Sequence, residues 1–203
     1  MVHIGILALQ GAFIEHQKKL EQLGAAVTQV RLPQQLDQLD GLVIPGGEST
    51  TIGKLATTYG LIEPLREFAK EKPTWGTCAG LIFLADDIGE YEQPILGLLH
   101  AQVDRNAFGR QRDSFEVSLP ITGAATEPPF QAIFIRAPLV RKVGEDVDVL
   151  AQLPDGGIVA VQQQHLLGTA FHPELSQDLR VHQYFYDMVA ATSSSVQKGT
   201  KDE

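Results

Sequence analysis

The chain has 203 residues, of which 43% are hydrophobic and 20% charged, and its formal net charge is −9 at pH 7. This length and balance fit one well-cored globular domain, and the acidic surplus, with no Lys/Arg-rich run, argues against nucleic acid or an anionic membrane as the main partner. No apolar run reaches bilayer length, and the N-terminus lacks a basic region and a cleavage signature. Cytoplasm is therefore the expected compartment, and a lone cysteine can form no internal disulfide.

In chain order, Val2 to Leu9 reads as a first strand. Phe13, His16, Gln17, Leu20 and Leu23 then recur at helical spacing, and Gly24 closes that helix. Strands follow at Ala26 to Leu32 and Gly41 to Pro45, helices at Thr50 to Tyr59 and Leu61 to Lys72, and a short strand at Pro73-Thr74-Trp75 before a helical stretch from Leu81 to Ala85. The second half is richer in β structure. Strands are expected at Leu98 to Val103, Phe115 to Leu119, Ala132 to Ile135, Val147 to Leu153, Ile158 to Gln163 and Gly168 to Phe171, with a hairpin turn at Asp155-Gly156-Gly157. Asp178 to Ala191 reads as a closing amphipathic helix, and residues 192–203 as a polar, flexible tail. Strands alternating with helices predict an α/β fold: one flavodoxin-like three-layer domain over residues 1–191, with a mixed, mostly parallel central sheet. Loops at the carboxyl ends of its parallel strands are where such sheets bind ligands.

Cys78 stands in Gly76-Thr77-Cys78-Ala79-Gly80, between a strand and a helix. A strand that turns sharply into a helix requires small residues two positions either side of the residue at the turn, and it lifts that side chain above the sheet edge. There the helix N-terminus favours a thiolate over a thiol. A buried, inert cysteine is the alternative, and the flanking glycines weigh against it.

A cysteine nucleophile needs a base and a group to orient the base, and Phe171-His172-Pro173-Glu174 supplies both types. Read as a strand end, this segment projects His172 and Glu174 from one face. His3, His16, His100, His165 and His182 are read as structural or surface residues. Gly46-Gly47-Glu48-Ser49-Thr50-Thr51 follows an apolar strand and offers backbone donors for an oxyanion, with the Ala79 N–H as the second donor. A plain capped turn is the other reading of that segment. It is not a phosphate loop, since five residues separate Gly47 from Gly53 and Leu55 follows Lys54, and Gly5 and Gly11 lack dinucleotide-binding spacing. One cysteine and scattered histidines offer no metal-ligand cluster, so no metal or other cofactor is expected.

With these motifs the chain resembles the triad-type (class I) glutamine amidotransferases, and among them the glutaminase subunits of two-protein pyridoxal 5′-phosphate synthases. The more specific blocks are Leu9-Gln10-Gly11, Pro45-Gly46-Gly47-Glu48-Ser49-Thr50-Thr51, Arg105-Asn106-Ala107-Phe108-Gly109-Arg110-Gln111 and Phe134-Ile135-Arg136-Ala137-Pro138. The resemblance implies hydrolysis of L-glutamine to glutamate and ammonia, with Cys78 as nucleophile, His172 as acid and base, and Glu174 orienting the histidine. It implies glutamine contacts at Gly47, Glu48, Ser49, Arg105, Ile135 and Arg136, and places Gln10 at the edge facing a partner. A guanidinium such as that of Arg105 can grip an α-carboxylate through two parallel hydrogen bonds. The implied partner is a (β/α)8-barrel synthase subunit that uses the ammonia within a large hetero-oligomer and switches the glutaminase on. Two alternatives stand beside this: a glutaminase or other cysteine amidohydrolase serving a different pathway, and a non-catalytic regulatory subunit.

Overall fold

The computed structural model describes residues 1–105 and 114–199, the last six of these as backbone. The first half runs β1 (His3–Leu7), α1 (Phe13–Gln22), β2 (Ala26–Val30), β3 (Gly41–Ile44), α2 (Ser49–Thr58), α3 (Ile62–Glu71), β4 (Thr74–Thr77) and α4 (Ala79–Leu84). The second half runs β5 (Ala85–Asp87), β6 (Leu99–Asp104), β7 (Ser114–Ile121), β8 (Ala125–Ile135), β9 (Leu139–Val143), β10 (Asp148–Gln152), β11 (Ile158–Gln163), β12 (Leu166–Thr169) and α5 (Arg180–Gly199).

The main sheet has the order β2-β1-β3-β4-β12-β11-β9-β6-β5, with β10 paired to β11. From β2 to β12 every pairing is parallel, in the flavodoxin order; β11 and β9 pair antiparallel and extend the sheet. β7 and β8 form a separate two-stranded ribbon. In β3, β4 and β12 every residue is buried, as expected of parallel strands covered on both faces.

Period-two alternation in β4 sorts the layers. Trp75 and Thr77 face α1 and α5, where Trp75 packs against Phe185 and His182. Gly76 faces α4, whose six residues are all buried and which packs on α2. An all-apolar helix such as Ala-Gly-Leu-Ile-Phe-Leu is stable in water only when enclosed in this way. None of the described helices is long and apolar enough to cross a membrane.

The expected α/β architecture is present, with local differences. β5 and β9 were not expected. β8 begins at Ala125 and passes through Pro128 and Pro129, which are tolerated because they fall where the register with β7 jumps from Phe130 to Ala125 and neither has a strand partner. The last helix continues beyond Ala191 to Gly199. β12 ends at Thr169, before Phe171 and His172.

Candidate active site

Four loops at the carboxyl ends of parallel strands build one site: Gln10 after β1, Gly46 to Ser49 after β3, Cys78 after β4 and His172 after β12. The β4–α4 turn is very tight. A Cβ on Gly80 would lie 2.0 Å from the Ile44 carbonyl oxygen, and one on Gly76 would lie 2.4 Å from the Gly80 carbonyl oxygen. Small residues there let strand and helix backbones touch. Cys78, between them, takes φ 49° and ψ −104°, a left-handed conformation rare for a non-glycine residue. Its N–H donates to the Thr169 carbonyl at 2.8 Å, fixing the elbow to β12.

His172 arrives by a different route from the one its sequence suggests. Pro173 opens a 3-10 turn, Pro173–Leu175, so strand alternation does not align His172 with Glu174. The turn does so instead, and the His172 N–H is held by the Ile133 carbonyl at 2.8 Å. Nδ1 of His172 lies 2.8 Å from Glu174 Oε1, and the ring stands close enough to Cys78 for the sulfur to act on its charge. Burial opposes a charge on this imidazole, but the Cys78 contact and then the Glu174 carboxylate outweigh it and push the pKa up to about 10. Glu174 is 3% exposed. Burial disfavours its charge, yet His16 and the His172 hydrogen bond hold the carboxyl below its usual range.

Gly46 packs against both Cys78 and His172. A Cβ there would sit 2.7 Å from His172 Cε1, 3.2 Å from its Nδ1 and 3.4 Å from Cys78 Cβ. Gly46→Ala is therefore expected to displace the imidazole with little effect on the fold, lowering kcat for amide hydrolysis by about 10²-fold. Steady-state kinetics beside a thermal melt checks this. A fall in kcat with an unchanged melting temperature is the expected pair of results.

Glu48 caps α2: its carboxylate accepts from the Thr50 N–H at 3.1 Å and from the Thr51 N–H and hydroxyl, each at 2.7 Å. Although partial burial disfavours its charge, these donors, Thr51 first, lower its pKa to about 2. The same carboxylate accepts from Arg105 Nη2 at 3.0 Å. Arg105 Nη1 donates to Gln93 Oε1 at 2.7 Å, which also accepts from the Ser49 and Thr50 hydroxyls. Gln10 Oε1 accepts from the Glu48 N–H at 2.7 Å and lies over Gly47.

A cavity of about 410 Å³ opens onto these groups. Cys78, Ala79 and His172 line it on the β4 and β12 side, and Gln10, Gly47, Glu48 and Ser49 line the β1 and β3 side. Arg105, Ile135 and Arg136 complete the wall, Arg136 with φ 42°. Every site residue proposed from the sequence reaches this cavity except Glu174, which stands behind His172. Positions 106–111 of the Arg105 block lie outside the described residues. Among the described residues no cluster of three or more His, Cys, Asp or Glu could hold a metal ion.

Sequence reasoning missed Ile82, which lines the cavity, and Gln93, the acceptor shared by Ser49, Thr50 and Arg105. His16 and His182, read from the sequence as structural or surface residues, are both buried. Gln93 carries no sequence signal, whereas His16 shares its helical stripe with buried Leu20.

The architecture is that of an α/β protein with a flavodoxin-order sheet, and its cavity brings the strained Cys78 elbow together with His172, backed by Glu174 from the turn after the neighbouring strand β12. The chain belongs to the SNO glutamine amidotransferase family, whose profile matches residues 6–191. It is 57% identical over 188 residues to the pyridoxal 5′-phosphate synthase subunit PdxT of Herpetosiphon aurantiacus, covering 90% of this chain and 97% of that one. The PdxT of Anoxybacillus flavithermus is 54% identical over 193 residues, with 95% and 99% covered. A crystal structure described as a glutamine amidotransferase superposes with a TM-score of 0.87 at 48% identity, covering 92% of this chain and 98% of that one.

Proposed function

We propose that this chain hydrolyses L-glutamine to L-glutamate and ammonia through Cys78, His172 and Glu174, and passes the ammonia to a partner synthase subunit that makes pyridoxal 5′-phosphate. The observation that carries this reading is that Cys78 and His172 share the wall of one cavity, with Glu174 hydrogen-bonded to the imidazole from behind. High identity to relatives named as subunits of that synthase supports the pathway.

The Cys78 sulfur attacks the side-chain amide carbon, and the Gly47 and Ala79 N–H groups receive the oxyanion. Imidazolium His172 gives its proton to the departing nitrogen, leaving ammonia and a thioester. Acylation removes the negative sulfur that helped raise the His172 pKa, so the ring can now act as a base. It takes a proton from water, which attacks the thioester and releases glutamate, and the sulfur leaves as the anion that began the cycle, with imidazolium His172 beside it again. Arg105, Arg136, Ile135, Glu48 and Ser49 hold the amino-acid end of glutamine.

Free ammonia is mostly protonated in neutral water and no longer nucleophilic, so a protected transfer requires a docked acceptor. A (β/α)8-barrel synthase in a large hetero-oligomer fits that need, with Gln10 at the docking edge and the cytoplasm as the compartment. A glutamine-mimicking electrophile, added with and without a candidate synthase and followed by peptide mass spectrometry, tests this reading. Adducts at Cys78 that increase with the synthase are expected. Full hydrolysis by the chain alone, unchanged by the synthase, would remove the coupling.

A further inference from the structure

Behind Glu174 lies a pair of buried imidazoles that the mechanism above does not use. His16 on α1 and His182 on α5 are both 0% exposed. His16 Nδ1 is 3.0 Å from His182 Nε2, and His16 Nε2 is 3.3 Å from Thr77 Oγ1 and 3.4 Å from Glu174 Oε2. Trp75 meets both rings edge-on, with centroids 5.4 Å from His16 and 5.0 Å from His182.

Burial keeps both rings neutral. For His16 the desolvation outweighs the opposing pull of Glu174; for His182 it acts together with His16 and Lys19. One proton is therefore shared across the 3.0 Å contact, and two arrangements are possible. If His16 donates, its bare Nε2 faces the carboxylate oxygen, and His182 Nδ1–H becomes a buried donor without a partner. If His182 donates, His16 Nε2–H faces Glu174 and Thr77, and only an acceptor nitrogen, His182 Nδ1, is unpaired. The first arrangement sets two acceptors against each other and also orphans a donor, so the second is the stable one.

We propose that His16 is a positioning residue for the catalytic pair, held by His182 in the tautomer whose Nε2–H points at the second oxygen of Glu174. The carboxylate is then bracketed, with Oε1 on His172 and Oε2 facing His16, so it cannot rotate away from the imidazole it orients. At 3.4 Å the Oε2 contact is long, and Oε2 makes no hydrogen bond among the described residues; His16 is the donor standing opposite it. The charged and titratable groups facing His16 and His182 are Glu15 and Lys19 on α1, and Glu174 and His172 from the turn after β12. This inference rests on the proposed use of Cys78 as nucleophile.

The test measures alkylation of Cys78 by iodoacetamide in the full chain, from acidic to alkaline pH, by intact mass. Cys78 is the only cysteine, so each adduct reports one site. Wild type is expected to react at neutral pH faster than a free thiol and with a flat profile. In His16→Leu the neutral-pH rate falls by roughly tenfold to a hundredfold, the loss expected when a buried carboxylate gives up a donor, and the profile becomes that of an ordinary thiol. His16→Gln, which can still donate to Glu174 and accept from His182, restores most of the rate. Should His16→Leu not fold, His16→Asn, too short to span the two partners, replaces it with the same expectation. A wild-type rate and profile in the Leu or Asn variant overturns the proposal, as does a Gln variant that is equally slow. An ordinary-thiol profile in wild type would instead sink the nucleophile reading, and the positioning role with it.

Discussion

Cys78→Ala, assayed for glutamate release in the presence of a partner synthase, is expected to lower hydrolysis by about 10⁴-fold or more. The cavity, the backbone donors and the His172–Glu174 pair all remain in this variant, so substrate binding is retained while the covalent step is lost. Alanine also accepts the φ of 49° no worse than cysteine does. The melting temperature should therefore stay close to that of wild type, which separates a chemical defect from a folding one. Appreciable residual turnover would show that the amide is attacked by something other than this sulfur.

Gly80→Ala is expected to reverse that pattern and destabilise the protein by about 3 kcal/mol or more. Alanine in a helix gains about 1 kcal/mol over glycine, but here its Cβ would lie 2.0 Å from one backbone atom of β3 and 2.8 Å from another. Neither can move without disturbing a fully buried strand. The steric cost outweighs the helix preference. Denaturant unfolding should show a lower midpoint with an unchanged m-value. A midpoint equal to that of wild type would mean that α4 can shift outward, and the close approach would then not be what holds the elbow.

Much of the parallel half of the fold was legible because β1 and β3 are apolar runs and α1 and α3 carry clear stripes. The elbow was legible because glycines at fixed spacing around Cys78 have few other uses. Other elements were hidden for physical reasons. Ala85–Asp87 is three residues long, two of them aspartates, and Leu139–Val143 carries Arg141 and Lys142, so neither resembles a buried strand. The two prolines of β8 argue against a strand except at an edge or a bulge, and only the strand register reveals the irregularity that admits them. His172 and Glu174 were matched for a reason that the structure replaces, since Pro173 turns the chain and ends the alternation. His16 and His182 are separated by 166 positions in the chain, and no local pattern announces that two helices bring them together. Arg105 could be read as a carboxylate binder, but its link to Gln93 depends on a loop with no periodicity.

The parallel neighbours β4 and β12 also set the order in which this protein can become active. β4 is synthesised early, yet its partner on that side is the last of the described strands, and the imidazole follows that strand. A nascent polypeptide would hold its sulfur, with no base beside it, until residues 166–174 had emerged and slotted in between β4 and β11. On the proposed mechanism, a molecule stalled short of that step hydrolyses no amide.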